Sequence, residues 1–302
     1  MTESAQPSPE PDNDAEVATG DGLEEELRDG LKDGLPGAAR AIVLAADPMQ
    51  KVGRARHTAR LWQQGKLGLG RVSQRLAMPD RPGRPAKPEM MAPRDMPRRS
   101  AGGEKGRFAL LHALAHIELN AVDMSWDLIG RFAHEGMPSA FFDDWVQVGL
   151  EEAKHFDLLC RRLGELGGGY GDLPAHDGLW QSAQATGHDL TARLAVVPLV
   201  LEARGLDVTP AMIDNLNRAA DDTSAAVLEI IYRDEKRHVA FGVRWFRFMC
   251  ERQGLAPEPT FQALVRANFR GTVKPPFNDR ARAEAGLAPG FYKPLSAFGA
   301  PR

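Results

Sequence analysis

The chain has 302 residues, 26% of them charged and 43% hydrophobic, with a formal net charge of -3 at neutral pH. That length supports one large domain or two modest ones with a sizeable core, and the near balance of charge names no bulk electrostatic partner. No run of about 18 uncharged apolar residues occurs, so no membrane-spanning helix is expected.

The chain opens acidic: residues 1–35 carry eleven acidic side chains against Arg28 and Lys32. Residues 1–20 are rich in proline, serine and acid and read as disordered, and residues 1–35 as an acidic tail. The start lacks a basic cluster and an apolar run, so a signal peptide is not expected. Residues 36–105 read as an arm. A helix is expected before Asp47-Pro48, a break there, and a second helix after it. Six prolines between Ala77 and Arg99 then rule out regular helix and predict an extended strap. Residues 40–107 hold sixteen Lys and Arg against five acids. This arm either docks on an acidic surface of its own chain or grips a phosphate-rich partner such as RNA.

From about Arg107 the period becomes 3.6 throughout, and no strand-like alternation competes with it. Helices are predicted over Phe108–Phe132 and Ala140–Leu166, the second ended by Gly167-Gly168-Gly169. The segment 170–180 reads as a loop. A third helix is expected over His188–Ala203, interrupted at Pro198 and ended by Gly205. Thr209-Pro210 then opens a short helix. A fourth long helix, capped by Asp222 or Thr223, runs to about Arg252. Residues 106–252 thus form an all-α four-helix bundle. Residues 253–302 supply one further helix, Thr260–Phe269, and a tail packed on the bundle. Cys160 and Cys250 lie in apolar helical stretches and read as buried free thiols, which suits a cytoplasmic location.

Two Glu-x-x-His pairs, each preceded by a lone glutamate, carry the chemistry. Glu118 is followed by Glu152 and His155; Glu202 is followed by Glu235 and His238. The gap from lone glutamate to pair is 34 residues in one set and 33 in the other. Residues three and four apart share a helix face. That rule sets Glu118 among Leu111, Leu114 and Val122, and Glu152 and His155 among Trp145, Val148 and Leu159. It sets Glu202 beside Leu199, and Glu235 and His238 among Leu228, Ile231, Gly242 and Trp245. Four carboxylates on core stripes, with no matching buried cations, repel one another unless neutralised. Two divalent ions cancel four carboxylates, with each Glu-x-x-His pair holding one ion and the carboxylates bridging. Glu151 and Asp234 point off the stripes, as surface groups or supports for the ligands.

Three further readings stay open. Tyr232, one turn before Glu235, is either a redox or supporting group near the metals or a core tyrosine with a satisfied hydroxyl. His176 and Asp177 either line a substrate entrance or make structural hydrogen bonds. His116, near Glu118 with His112, is a candidate hydrogen-bonding support for the ligands.

The half-motifs "EEAKH" and "RDEKRH" with their lone glutamates resemble the ferritin-like superfamily. The runs "LLHALAHIELNAVD", "EEAKHFDLL", "YGDLPAHDGLW", "LEARGLDVTP" and "RDEKRHVAFGVRWF" resemble more closely a ferritin-like family catalogued as domain of unknown function 455. The resemblance extends over about Gly37 to Leu295. It implies a ferritin-like bundle with two iron ions, or a manganese–iron pair, held by the six residues. It implies O2 as co-substrate, an oxidoreductase or hydroxylase reaction on an unidentified small molecule, and an external electron donor. Iron oxidation or peroxide removal without an organic substrate is the alternative. A tRNA-hydroxylating monooxygenase looks like a distant relative, which keeps tRNA modification as a third reading. A homodimer is also compatible with the family.

Overall fold

A computed structural model describes residues 30–70, 75–96 and 103–296. The disordered stretch predicted for residues 1–20 lies outside them, as do most of the acidic tail and the ends of the strap. The described part is all-α; among the described residues no strand forms, and Met90 and Ala175 make a single isolated bridge. No helix among them is long and apolar enough to cross a membrane.

Helix α1 spans Gly34–Leu44 and α2 spans Pro48–Gln63. They part where the sequence predicts: Asp47 caps α2 by accepting from Gln50 N at 2.8 Å, and Pro48 takes the first turn, where its missing N–H costs nothing. The strap follows without regular structure apart from one 3-10 turn at Pro93–Asp95. It is sewn down by backbone and side-chain bonds. Gly83 N donates to Val43 O, Ala175 N donates to Glu89 O, and Arg84 reaches Asp123 and Asn120. Gly83 is required at its place, because a Cβ there would lie 2.2 Å from Leu44 O.

The bundle has four long helical runs. The first is α3 (Gly103–Arg131) and the second α4 (Ser139–Glu165). Short helix α5 (Gly178–Ala185) lies at the end of the segment expected to be a loop. The third run is one composite rod: α6 (Leu190–Val196), a π-helical segment Val197–Glu202, and α7 (Ala203–Arg218). The fourth is α8 (Asp222–Gln253), capped by Asp221, one residue earlier than expected, and closed by Gly254 in the left-handed region. Helix α3 packs on α4, α8 on α7 and the π segment, and α4 against α8, while α1 and α2 cover α3 and α4. The tail forms α9 (Pro257–Asn268), α10 (Asp279–Glu284) and α11 (Pro289–Ser296).

The third run departs from expectation. Gly205 does not end it and Thr209-Pro210 does not open a new helix; both sit inside α7. Proline at position 210 leaves the carbonyl of Leu206 without its helical donor. Asn278, from the tail, fills the gap: its Nδ2 donates to Leu206 O at 3.1 Å. A tertiary bond thus removes the penalty that made a break there the local preference.

Candidate metal centre

The six sequence-predicted ligands come from all four runs: Glu118 from α3, Glu152 and His155 from α4, Glu202 from the π segment, Glu235 and His238 from α8. All are buried, with none more than 9% exposed. Donor atoms of Glu118, Glu152, His155 and Glu235 lie within 4.8 Å of one another. His155 Nδ1 is 3.3 Å from an oxygen of each of Glu118 and Glu152. His238 Nδ1 is 3.0 Å from Glu152 Oε1 and 3.7 Å from Glu235 Oε1. The two imidazole centres are 5.9 Å apart. Glu202 shares a cavity wall with Glu118 and Glu235, near enough for the charges of Glu235 and Glu152 to act on its carboxyl.

His155 Nδ1 bonds within this cluster, but several of the converging atoms find no hydrogen-bond partner. Glu152 Oε1, Glu202 Oε2, Glu235 Oε2 and His238 Nδ1 are buried and have no hydrogen-bond partner, the first and last meeting only as an ion-pair contact at 3.0 Å. Each such atom costs about 1–3 kcal/mol if it stays unsatisfied. Four of them in one cluster, all lone-pair donors or able to be, are what a metal-binding site leaves open. The donor set of carboxylate oxygen and imidazole nitrogen could hold a metal ion.

Behind the ligands lies a reciprocal cross-link. Glu151, the acid preceding Glu152 on α4, accepts from His238 Nε2 on α8 at 2.8 Å. Asp234, the acid preceding Glu235 on α8, accepts from His155 Nε2 on α4 at 3.1 Å. The acceptors require the proton on Nε2, which leaves each Nδ1 lone pair facing the carboxylates. Lys154 then donates to Asp234 at 2.6 Å, and Arg237 to Glu151. The two half-motifs are therefore acid, ligand, spacer, base, ligand, and each acid serves the other helix's histidine. Glu151 and Asp234 are buried supports rather than surface groups. The signal was present in the sequence as the acid one residue before each pair.

The electrostatics match the geometry. Burial first, then the charge of Glu152, pushes Glu118 and Glu235 above the usual carboxylate range; burial and the charges of Glu235 and Glu152 do the same to Glu202. Burial also works against Glu152, yet the neighbouring His238 and His155 hold it well below that range. Burial disfavours charge on both histidines, but Asp234, Glu118 and Glu152 around His155, and Glu152 and Glu151 around His238, raise them well above 6.5. Without a cation the cluster is held together by protons, and a cation would take their place.

A cavity of about 330 Å3 opens onto this cluster. Glu118, Glu202 and Glu235 form part of its wall; the rest is mainly aliphatic and aromatic, from α3, the π segment, α7, α8 and the tail. The π segment explains how Glu202 gets there. Pro198 cannot donate within the helix, and the wider turn carries the chain past it to Glu202. Gly242 on α8 makes room, since a Cβ there would lie 2.5 Å from Pro198 Cβ.

Four other candidates fall elsewhere. Tyr232 accepts from Asn278 Nδ2 at 3.1 Å, so its hydroxyl is engaged with the tail. His116 bonds Tyr170 OH at 2.8 Å and the backbone oxygen of His176 at 3.1 Å. The His176 ring accepts from Gly178 N. Asp177 lies 3.7 Å from Arg84 and 3.8 Å from Arg81. None of the four is among the residues that wall this cavity, and their hydrogen bonds go to groups other than the six ligand candidates. His116, His176 and Asp177 instead tie the strap and the 170–180 segment to α3. The residues the sequence did not point to are those of the tail that wall the cavity, Phe269 to Arg282. They carry no periodicity or motif that could have singled them out. The cysteines are unpaired, and burial pushes Cys160 up to about 12 and Cys250 to about 11, so both are inert thiols.

Comparison with known proteins adds family, not reaction. Residues 44–293 match the family model described as "Protein of unknown function (DUF455)". A protein of Haemophilus influenzae described as "Uncharacterized protein" is 42% identical over 208 residues, covering 67% of this chain and 72% of its own length. No solved structure matches the chain.

Proposed function

The chain belongs to the DUF455 family, and for a member with this site we propose an O2-activating carboxylate protein with two iron ions, or manganese and iron, that oxidises a small organic substrate. The observation that carries this reading is the meeting of two features. A cluster of buried, unpartnered carboxylate and imidazole atoms shares a wall with an apolar cavity.

Glu118, Glu152, His155, Glu202, Glu235 and His238 would hold the two ions. When bound, two ferrous ions in mostly oxygen ligation supply two-electron reduction of O2. The residues do the rest. Asp234 and Glu151 fix the orientation and tautomer of His155 and His238. The apolar wall keeps bulk water from the carboxylates and holds a C–H bond of the substrate beside them. Inserting one oxygen atom into that bond consumes O2, two electrons and two protons and releases the second oxygen as water. The electrons would come from an external reductant.

The cavity favours this reading over iron oxidation or peroxide removal, neither of which needs an organic ligand beside the metals. The test is oxygen uptake by the full chain reconstituted with ferrous iron and supplied with an artificial reductant. The reading expects iron-dependent uptake that Glu235→Ala abolishes while the variant keeps its helical content. Equal uptake by parent and variant would remove it.

A further inference from the structure

We infer that the cavity takes an anionic amphiphile: an apolar chain of about ten carbon atoms, its acidic head at the rim and its far end toward the carboxylate cluster. This names the substrate class of the site and rests on the proposed oxidase reading only for what happens after binding.

Size comes first. A volume of about 330 Å3 has room for a chain of at least about ten methylene-sized groups, at ~30 Å3 each. Next is polarity. Leu199, Leu228, Ile231, Phe261 and Phe277 are typical of the wall. A sugar-like ligand would leave its hydroxyls unpaired there, each at a cost of about 1–3 kcal/mol. An apolar chain has no such cost.

Charge is also sorted along the wall. Among the described residues, the only acids in the wall are Glu118, Glu202 and Glu235, all deeply buried. The other charged residues in the wall are all basic: Arg204, Lys274 and Arg282. Lys274 is exposed, which puts it at the rim. Among the described residues no carboxylate pairs with it. One acid, Asp207, answers both arginines: it takes a bidentate pair from Arg282 at 2.8 and 2.7 Å and lies 3.4 Å from Arg204. The rim therefore keeps excess positive charge. An anionic head placed there meets the exposed Lys274 and the neighbouring Arg204.

The rim is also held in place. Arg204 Nη1 donates to the backbone oxygens of Lys274 and Pro276, both at 2.9 Å. Asn278 N donates to Asp207 at 2.9 Å. These bonds fix the tail segment that carries Lys274 over the cavity, so the cation is presented by an anchored loop.

The probes are decanoate, decyl phosphate, decanol and decyltrimethylammonium, titrated calorimetrically into the metal-loaded full chain, with metal content measured on the same samples. Decanoate or decyl phosphate should bind about tenfold tighter than decanol, the scale of one charge-assisted contact. Decyltrimethylammonium should bind weakest. Which of the two anions leads separates a carboxylate from a phosphate head. Lys274→Glu, at an exposed position, should remove that preference and leave decanol affinity and metal content unchanged. Val208→Trp, which fills the cavity from α7, should abolish binding of all four. Decanol or the cation binding as tightly as decanoate, an unaltered preference in Lys274→Glu, or decanoate binding intact in Val208→Trp would each overturn the inference. Amphiphile binding in a chain that takes up no metal would sink the oxidase reading and leave this one standing.

Discussion

At the residue scale, the informative unit is the acid-Glu-x-base-His run, present once on α4 and once on α8. Its spacing made the ligands legible: three-residue separation puts Glu152 beside His155 and Glu235 beside His238 on faces that also bear Trp, Val and Leu. The acids ahead of each pair were visible too, but which histidine each serves was not. That depends on α4 and α8 lying side by side, which no local spacing encodes. Replacing Asp234 with Asn keeps the size of the side chain but removes the charge that His155 leans on. Metal affinity should fall by about 10- to 100-fold with the fold intact, measured by competition with a chelator; an unchanged affinity would remove the supporting role. A second residue-scale consequence concerns His116. Burial first, then the charge of Arg84, depresses it from 6.5 to about 4. A depressed folded value favours the neutral ring, so its contribution is present above about pH 6.5 and is lost as pH falls through 4. Across that window the stability advantage of the metal-free parent over His116→Gln should shrink by about 3 kcal/mol. Denaturant unfolding at pH 7 and pH 4 measures it, and a pH-independent difference would contradict the assignment.

At the element scale, the third helical run shows both the strength and the limit of local reading. Pro198 was legible as an interruption, and the chain does depart from α geometry there, as a π segment rather than a kink. Gly205 and Pro210 looked like a stop and a start, yet α7 continues through both, because Asn278 satisfies the carbonyl that Pro210 frees. Propensity yielded to a tertiary bond from 68 residues further on. The short helices of the tail, where the sequence predicts only a tail packed on the bundle, have six to eight residues each and owe their existence to packing. The contact between α8 and the π segment gives a paired prediction. Gly242→Ala places a methyl 2.5 Å from Pro198 Cβ and should cost about 1–3 kcal/mol of stability. Because Glu202 ends that segment, it should also lower metal affinity. Gly205→Ala meets nothing within 4 Å and should stabilise α7 by about 0.5–1 kcal/mol. Equal melting shifts for the two variants would mean the packing against Pro198 has no role.

At the scale of the whole molecule, the all-α class followed from the unbroken 3.6 period, and family membership from motifs spread along most of the chain. What the sequence could not reveal is that the tail closes the cavity. Phe269 to Arg282 has no repeat, and its place is set by Arg204, Asp207 and Asn278 meeting across about 70 residues of chain. The arm and strap are bonded down onto α3 by buried polar groups. Lys51, fully buried, bonds Asp123 and the carbonyls of Val43 and Gly83, and Arg84 joins the same carboxylate. The basic arm thus spends part of its charge on its own bundle. The bundle encloses a cluster of four carboxylates and two imidazoles, and metals would neutralise it. Metal analysis of the full chain, reconstituted with ferrous iron under anaerobic conditions and freed of excess, tests this most directly. The account predicts about two ions per chain and almost none in a folded Glu152→Ala variant; a parent that retains no metal, or a variant that retains as much as the parent, would contradict it.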